Sequence, residues 1–319
     1  MSYFYPMKLT PVAKSAIWGG ERLRRDWNKP SDLPVVAETW ELTVREKENN
    51  TIQNGAFCGE KLSNVIQNSV QNLIGTLAAD ERFPLLVKFI DADDRLSVQV
   101  HPDDDFAARI ENDRGKTEMW YVVEADEGAS ILLGLIPGAT VKDFEKASTS
   151  GDPEPVLQRV EVKKGDCFFI PAGMPHAIGK GILIAEIQQN CDLTYRVYDY
   201  NRRDKEGKLR ELHIEKALQV TRPFTEKEVE AIRYARGKQN DAQLASCTYF
   251  AVSRVELQQD HVGNATAESF HSLLFLSGVG TVVANGITTP YQKGDSIFLP
   301  AGTGEYRILG NGELLISTL

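Results

Sequence analysis

The sequence predicts a mainly β protein: two antiparallel β-domains with a few short helices. Three observations carry this. Most of the chain reads as short apolar runs cut by Gly, Pro, Asn and Asp turns. Helical periodicity is confined to a handful of segments. A ten-residue segment also occurs twice, as Lys164-Gly-Asp-Cys-Phe-Phe-Ile-Pro-Ala-Gly173 and as Lys293-Gly-Asp-Ser-Ile-Phe-Leu-Pro-Ala-Gly302, at an offset of 129 residues. A repeat so widely spaced marks two similar β-domains rather than a solenoid.

The runs at 39–45, 84–91, 95–100, 118–123, 129–133, 167–170 and 182–188 are predicted strands. Leu62, Val65, Ile66, Val70, Leu73 and Ile74 recur at helical spacing, with Gly75 placed to cap that helix. Shorter helices are predicted at 103–112, 141–147 and 211–220. These elements divide the chain into a catalytic domain (1–224), a charged linking segment (225–243) and a second β-domain (244–319). In the second copy of the repeat Glu305 stands where the first has His176, and His271 is the nearest counterpart of Glu118. The second domain is therefore predicted to be structural.

With 42% hydrophobic and 25% charged residues in 319, the chain is an ordinary globular one. Its formal charge of −9 and the lack of a basic block argue against nucleic acid or an anionic membrane as partners. A few placed Lys and Arg residues still suit an anionic small molecule. The four cysteines form no CxxC pair, which predicts free thiols in a reducing compartment. No charged leader precedes a long apolar run and no stretch approaches a membrane span, so the expected location is cytoplasmic. Nothing in the chain demands more than a monomer or weak oligomer.

The chemistry concentrates in two places. Ser97, Gln99 and His101 alternate along one predicted strand and share a face, opposite Leu96, Val98 and Val100. Glu118 follows seventeen residues after His101, and His176 closes the segment that begins Gly165-Asp166. Two imidazoles and a carboxylate beside an amide oxygen suit a divalent metal such as zinc. In the later segment Pro171 and Gly173 reverse the chain, returning His176 toward a barrel interior.

The Gly-Asp-x4-Pro-x-Gly-x2-His segment resembles the second motif of the cupin superfamily, and Gln99-x-His101 with Glu118 resembles the first, with Gln where cupins at large have His. More narrowly, the chain is similar to the short bacterial form of the type I mannose-6-phosphate isomerases. The resemblance rests on Ile17-Trp-Gly-Gly20, Glu38-Thr-Trp-Glu41, Gln99-Val-His-Pro-Asp103, Lys116-Thr-Glu-Met-Trp-Tyr121, and Glu186-Ile-Gln-Gln-Asn190 running into Thr194-Tyr-Arg-Val-Tyr-Asp-Tyr200. It implies two jelly-roll barrels. It also implies one zinc ion per chain, held by Gln99, His101, Glu118 and His176; manganese, cobalt or iron fit the same donors. Gln99, a poor zinc ligand, could instead touch substrate or water. His213, His261 and His271 have no motif support.

The same resemblance implies interconversion of mannose 6-phosphate and fructose 6-phosphate through an enediol. Arg196 aligns with the family's active-site arginine and would stabilise the enediolate; an ion pair with Asp192 or Asp199 is the plain alternative. Lys116 alternates with Glu118 and would contact a substrate hydroxyl or the phosphate. Glu186 alternates with Ile182 and Ile184 on a buried face and is the leading candidate base, with Lys116 or a hydroxide on the metal as other choices. Ser97 is placed for the phosphate, as is a basic residue at Arg202 or Arg203. Trp18 and Glu38 match positions beside the pocket. Two rival readings are a cupin iron(II) oxygenase, which a two-His, one-carboxylate site also suits, and a sugar-phosphate-binding protein without turnover.

Overall fold

The computed structural model describes residues 4–78, 80, 82–204, 206–224, 228, 233–234 and 241–319. Most of the predicted link at 225–243 therefore lies outside the described residues. Three antiparallel sheets dominate the architecture. A seven-stranded sheet has Glu118–Ala125, Ile182–Gln189 and Leu85–Ala92 at its centre. A five-stranded sheet contains Tyr195–Tyr198, Val98–Val100, His176–Ile178, Ser130–Leu135 and Leu157–Glu161. A nine-stranded sheet is built mainly from the C-terminal segment, around the long strands His271–Ala284 and Gly304–Thr318.

The seven-stranded sheet lies between the other two, and its side chains sort by period two. Met119, Tyr121, Val123, Val87, Phe89, Leu183, Ala185 and Ile187 enter one core, shared with Phe250, Phe270, Phe298 and Leu315 of the C-terminal segment. Trp120, Val122, Ile90, Ile182 and Ile184 enter another, shared with Leu133, Met174 and Ile178 of the five-stranded sheet. Strands buried on both faces are apolar at nearly every position, so Lys88, Glu118 and Glu186 stand out within them. The far face of the five-stranded sheet packs Val98, Val100, Leu132, Tyr195 and Val197 against Phe106, Phe144 and Ala217. Those last three come from the helices Asp104–Glu111, Val141–Ser150 and Ile214–Val220.

The N-terminal strand crosses the predicted division at residue 224. Met7–Thr10 pairs with Ser296–Leu299 on one side and Thr51–Ile52 on the other, inside the nine-stranded sheet. Lys29 reinforces this seam: its buried ammonium lies 2.6 Å from Glu41 and donates to the carbonyl of Gly294. The repeat survives as geometry. Cys167–Ile170 and Ser296–Leu299 are both strands, entered through Gly165 (φ 87°) and Gly294 (φ 90°) and left through Gly173 (φ 83°) and Gly302 (φ 85°). Glu305, at the place of His176, is exposed and lies 3.5 Å from Arg307.

Several expected elements differ in extent, and two of the differences have a visible cause or consequence. The helix expected through Ile74 ends at Asn68. The Asn72 side chain accepts from the backbone of Ile74 and Gly75, an Asx turn that competes with the helical bonds. Gly75 (φ 112°) serves a close approach to the backbone of Glu268 instead of capping the helix. The strand expected from 95 begins at Val98, so Leu96 escapes the alternation and joins the core on the cleft side. The four cysteines are unpaired. Among the described residues no helix is long and apolar enough to cross a membrane.

Candidate metal centre and active site

The site forms where the seven- and five-stranded sheets face each other. Glu118 starts its strand paired with Ile170 on one side and Gln188 on the other. His176 starts the strand that pairs with Val98–Val100, directly opposite Gln99. His101 follows that strand by one residue. The donor atoms of His101, Glu118 and His176 all lie within 4.8 Å of one another, and the three residues are buried. His101 Nε2 is 3.6 Å from Glu118 Oε2, and His176 Nε2 is 3.4 Å from Oε1.

Each imidazole is aimed by its other nitrogen. Nδ1 of His101 lies 2.9 Å from the carbonyl of Leu193, and Nδ1 of His176 lies 2.8 Å from that of Met174. Such bonds fix the tautomer so that Nε2 carries the free lone pair, the arrangement metal-binding histidines use. Burial lowers both imidazoles, His176 to about 4, so both are neutral near pH 7. Among the described residues, Glu118 Oε1 and His176 Nε2 are buried without a hydrogen-bond partner, and Glu118 Oε2 meets only the Lys116 ammonium. Buried polar atoms left open in this way are costly, and a divalent cation would satisfy all three at once. The donor set thus fits a metal. Burial, with the charge of Glu186, pushes the metal-free Glu118 carboxyl up to about 7.

A cleft of about 320 Å³ opens beside these donors. Ser97 and Gln99 line it because Val98 and Val100 point the other way. Arg196 lines it because Tyr195 and Val197 face the helices. Lys116, Glu186, Trp18 and Glu38 complete the expected members on the wall. The Lys116 ammonium is 3.0 Å from Glu118 Oε2 and 3.2 Å from His101 Nε2. Arg196 takes neither alternative partner as an ion pair: among the described residues no carboxylate lies within 4 Å of it, and Nη1 donates to the carbonyl of Glu211 at 2.9 Å. Burial and the neighbouring Arg210 push its guanidinium below the ordinary value.

Arg202 and Arg203 fall outside the cleft wall. Arg202 meets Asp199 at 2.6 Å and Asp94 at 3.1 Å, and Arg203 is exposed and donates to the carbonyl of Gly207.

Several cleft residues had no assigned role in the sequence. Lys88 is the most consequential. Its ammonium lies 3.3 Å from Glu186 and 3.7 Å from Glu38, and 5.1 Å from the centroid of the Trp40 ring. Burial works against its charge, but Glu38 and Glu186 keep it protonated. A lysine alone in the apolar run Leu85-Leu-Val-Lys-Phe-Ile was the available signal. The Glu186 carboxylate also accepts from the Trp120 indole at 2.9 Å. Burial opposes its ionisation, yet Lys88 and Lys116 hold it at about 2. Asp192, Thr194, Arg210 and His213 also line the cleft. His213, read as a residue without a role, receives the Arg196 backbone N–H at Nδ1 (3.3 Å) and donates its own N–H to the Arg196 carbonyl (2.7 Å).

Paired imidazoles and a carboxylate, set in a polar cleft between antiparallel sheets, define a cupin-type metalloenzyme. The family described as phosphomannose isomerase type I, catalytic domain, matches residues 7–131, and the mannose-6-phosphate isomerase cupin domain matches residues 240–319. The chain is 38% identical to mannose-6-phosphate isomerase ManA of Bacillus subtilis (strain 168), over 98% of this chain and 99% of that protein. It is 33% identical to mannose-6-phosphate isomerase of Streptococcus mutans, over 98% of each. The crystal structure of mannose 6-phosphate isomerase from Bacillus subtilis superimposes with a TM-score of 0.86 at 32% identity, covering 98% of this chain and 99% of that one. The chain belongs to the type I mannose-6-phosphate isomerase family. These relatives do not favour the oxygenase or the binding protein without turnover.

Proposed function

We propose that this protein interconverts mannose 6-phosphate and fructose 6-phosphate at a single zinc ion held by Gln99, His101, Glu118 and His176. The observation that carries the reading is the trio of buried donors, converging beside a cleft rich in fixed charge. Two neutral imidazoles with a carboxylate suit zinc. Bound there, zinc supplies Lewis-acid polarisation of the open-chain sugar's carbonyl and hydroxyl oxygens.

The remaining work falls to the chain's own residues. The reaction moves one proton from C2 to C1 and a second from the C2 hydroxyl to the C1 oxygen, so that C1 and C2 exchange oxidation levels without any external reductant. Negative charge develops on the C1 and C2 oxygens along the way. Arg196 and Lys116 line that part of the cleft as cations and stabilise this charge. Glu186 belongs to the site as an ionised carboxylate. Lys88 and Lys116 keep it ionised and the Trp120 indole donates to it, so it stands on the cleft wall as the base that carries the carbon-bound proton. Ser97 contributes a hydroxyl to the sugar phosphate, and Trp18 closes the wall over it.

A coupled assay for fructose 6-phosphate, started from mannose 6-phosphate on chelator-stripped protein, tests this reading. Turnover restored by zinc supports it. No turnover with zinc, manganese, cobalt or iron(II) would refute it.

A further inference from the structure

The cleft is divided by charge. Toward the metal donors, Lys88 and Lys116 are matched by Glu38, Glu186 and Glu118. At the other end, the guanidiniums of Arg202 and Arg210 close on Asp199, which is 5% exposed, while Arg196 stands opposite Gln99 in the sheet and feels the Arg210 charge. Arg202 is fully engaged there. It binds Asp199 and Asp94, donates to the carbonyl of Arg95, and packs over the Tyr200 ring.

Arg210 is different. It lines the cleft, as Arg202 does not. Asp199 takes its Nε at 2.7 Å and also accepts from Nη2. Among the described residues its Nη1 has no hydrogen-bond partner. The fork is gripped along one edge, and the Nη1–Nη2 edge is left for two oxygens of a second anion. Beside it, Arg196 has a buried Nε without a partner. Two guanidiniums with open donors thus line the same cleft as Ser97 and Thr194.

We infer that Arg210 is the phosphate-anchoring residue of this cleft, and that Asp199 is a positioning residue that sets the Arg210 fork. The inference rests on the isomerase reading. It moves the phosphate contact from the Arg202 or Arg203 that the sequence offered to a residue without motif support.

The test compares Arg210→Ala, Arg210→Lys and Arg202→Ala in the zinc-loaded protein. A guanidinium–phosphate contact of typical strength predicts that Arg210→Ala raises KM for mannose 6-phosphate about thirtyfold or more, with a smaller effect on kcat. Arg210→Lys, which keeps the charge and loses the fork, raises it less. Arg202→Ala raises it at least about tenfold less than Arg210→Ala. Asp199→Asn shifts KM in the same direction as Arg210→Ala, and Asp199→Glu recovers part of the loss. If Arg210→Ala leaves KM within about threefold of the parent protein while Arg202→Ala does not, the assignment is overturned. Calorimetric titration with inorganic phosphate separates this inference from the isomerase reading. Phosphate bound by the parent protein and lost in Arg210→Ala supports the anchor even if mannose 6-phosphate is not turned over. Phosphate bound equally by both, or by neither, overturns it.

Discussion

Lys88 and Glu186 face each other across adjacent strands of the central sheet, in register, with their charged ends 3.3 Å apart and both side chains buried. Removing one partner leaves the other charge stranded in the interior. Lys88→Met is expected to destabilise the fold by about 3–5 kcal/mol, whereas the double change Lys88→Met with Glu186→Leu costs much less. Urea denaturation of the parent, the two single variants and the double variant, fitted to two states, measures the coupling. Additive effects would show that the pair is not a unit.

The two imidazoles are predicted to act through the metal and not through the fold. His176→Ala and His101→Ala should each strip the metal and abolish turnover while the far-ultraviolet circular dichroism stays that of the parent. Metal-to-protein ratio by mass spectrometry is the check. A variant that keeps a full equivalent of zinc would remove that histidine from the ligand set.

Arg196→Ala is expected to retain the metal and lose about a hundredfold or more in kcat, the loss typical of a donor aimed at developing oxyanion charge. Steady-state kinetics at matched zinc occupancy give the answer. Near-normal turnover would deny Arg196 a part in the reaction.

Metal affinity should depend on pH through Glu118. Its metal-free carboxyl sits at about 7 because burial and Glu186 disfavour the charge, while His176 sits at about 4. Below about 7 a proton must leave Glu118 before the metal enters, so affinity falls about tenfold for each unit of acidification, and more steeply once His176 also takes a proton. Above about 7 this dependence levels off. Competition with a chromophoric chelator between about pH 5 and pH 8 follows the slope. A flat profile across that window would contradict the raised carboxyl.

Much of the site was legible because its members follow local rules. Gln99 and Ser97 reach the cleft by alternation with Val98 and Val100, Arg196 by alternation with Tyr195 and Val197, and Glu186 by alternation with Ile184. His176 arrives through a turn whose Gly165 and Gly173 both need positive φ, written in the repeat itself. Two misreadings show the limit of such rules. Six apolar residues at helical spacing did not carry the helix past Asn68, because the Asn72 side chain offered the backbone other partners. Position along the chain likewise does not place Arg202 or Arg203 on the cleft wall: Arg202 turns toward Asp94 and Asp199, and Arg203 is exposed.

By itself the sequence determined the mainly β class, the doubled turn motif, and the faces on which the metal donors and Arg196 lie. Each depends on residues a few positions apart, through pleat, turn and positive φ. Only the tertiary structure decided that Lys88 answers Glu186, that Arg210 and His213 return to the cleft, and that Met7–Thr10 enters the C-terminal sheet beside Ser296–Leu299. Those pairings join residues from 14 to about 290 positions apart in the chain. They are chosen by register and by the need to compensate buried charge, and neither is written in any short window of the chain.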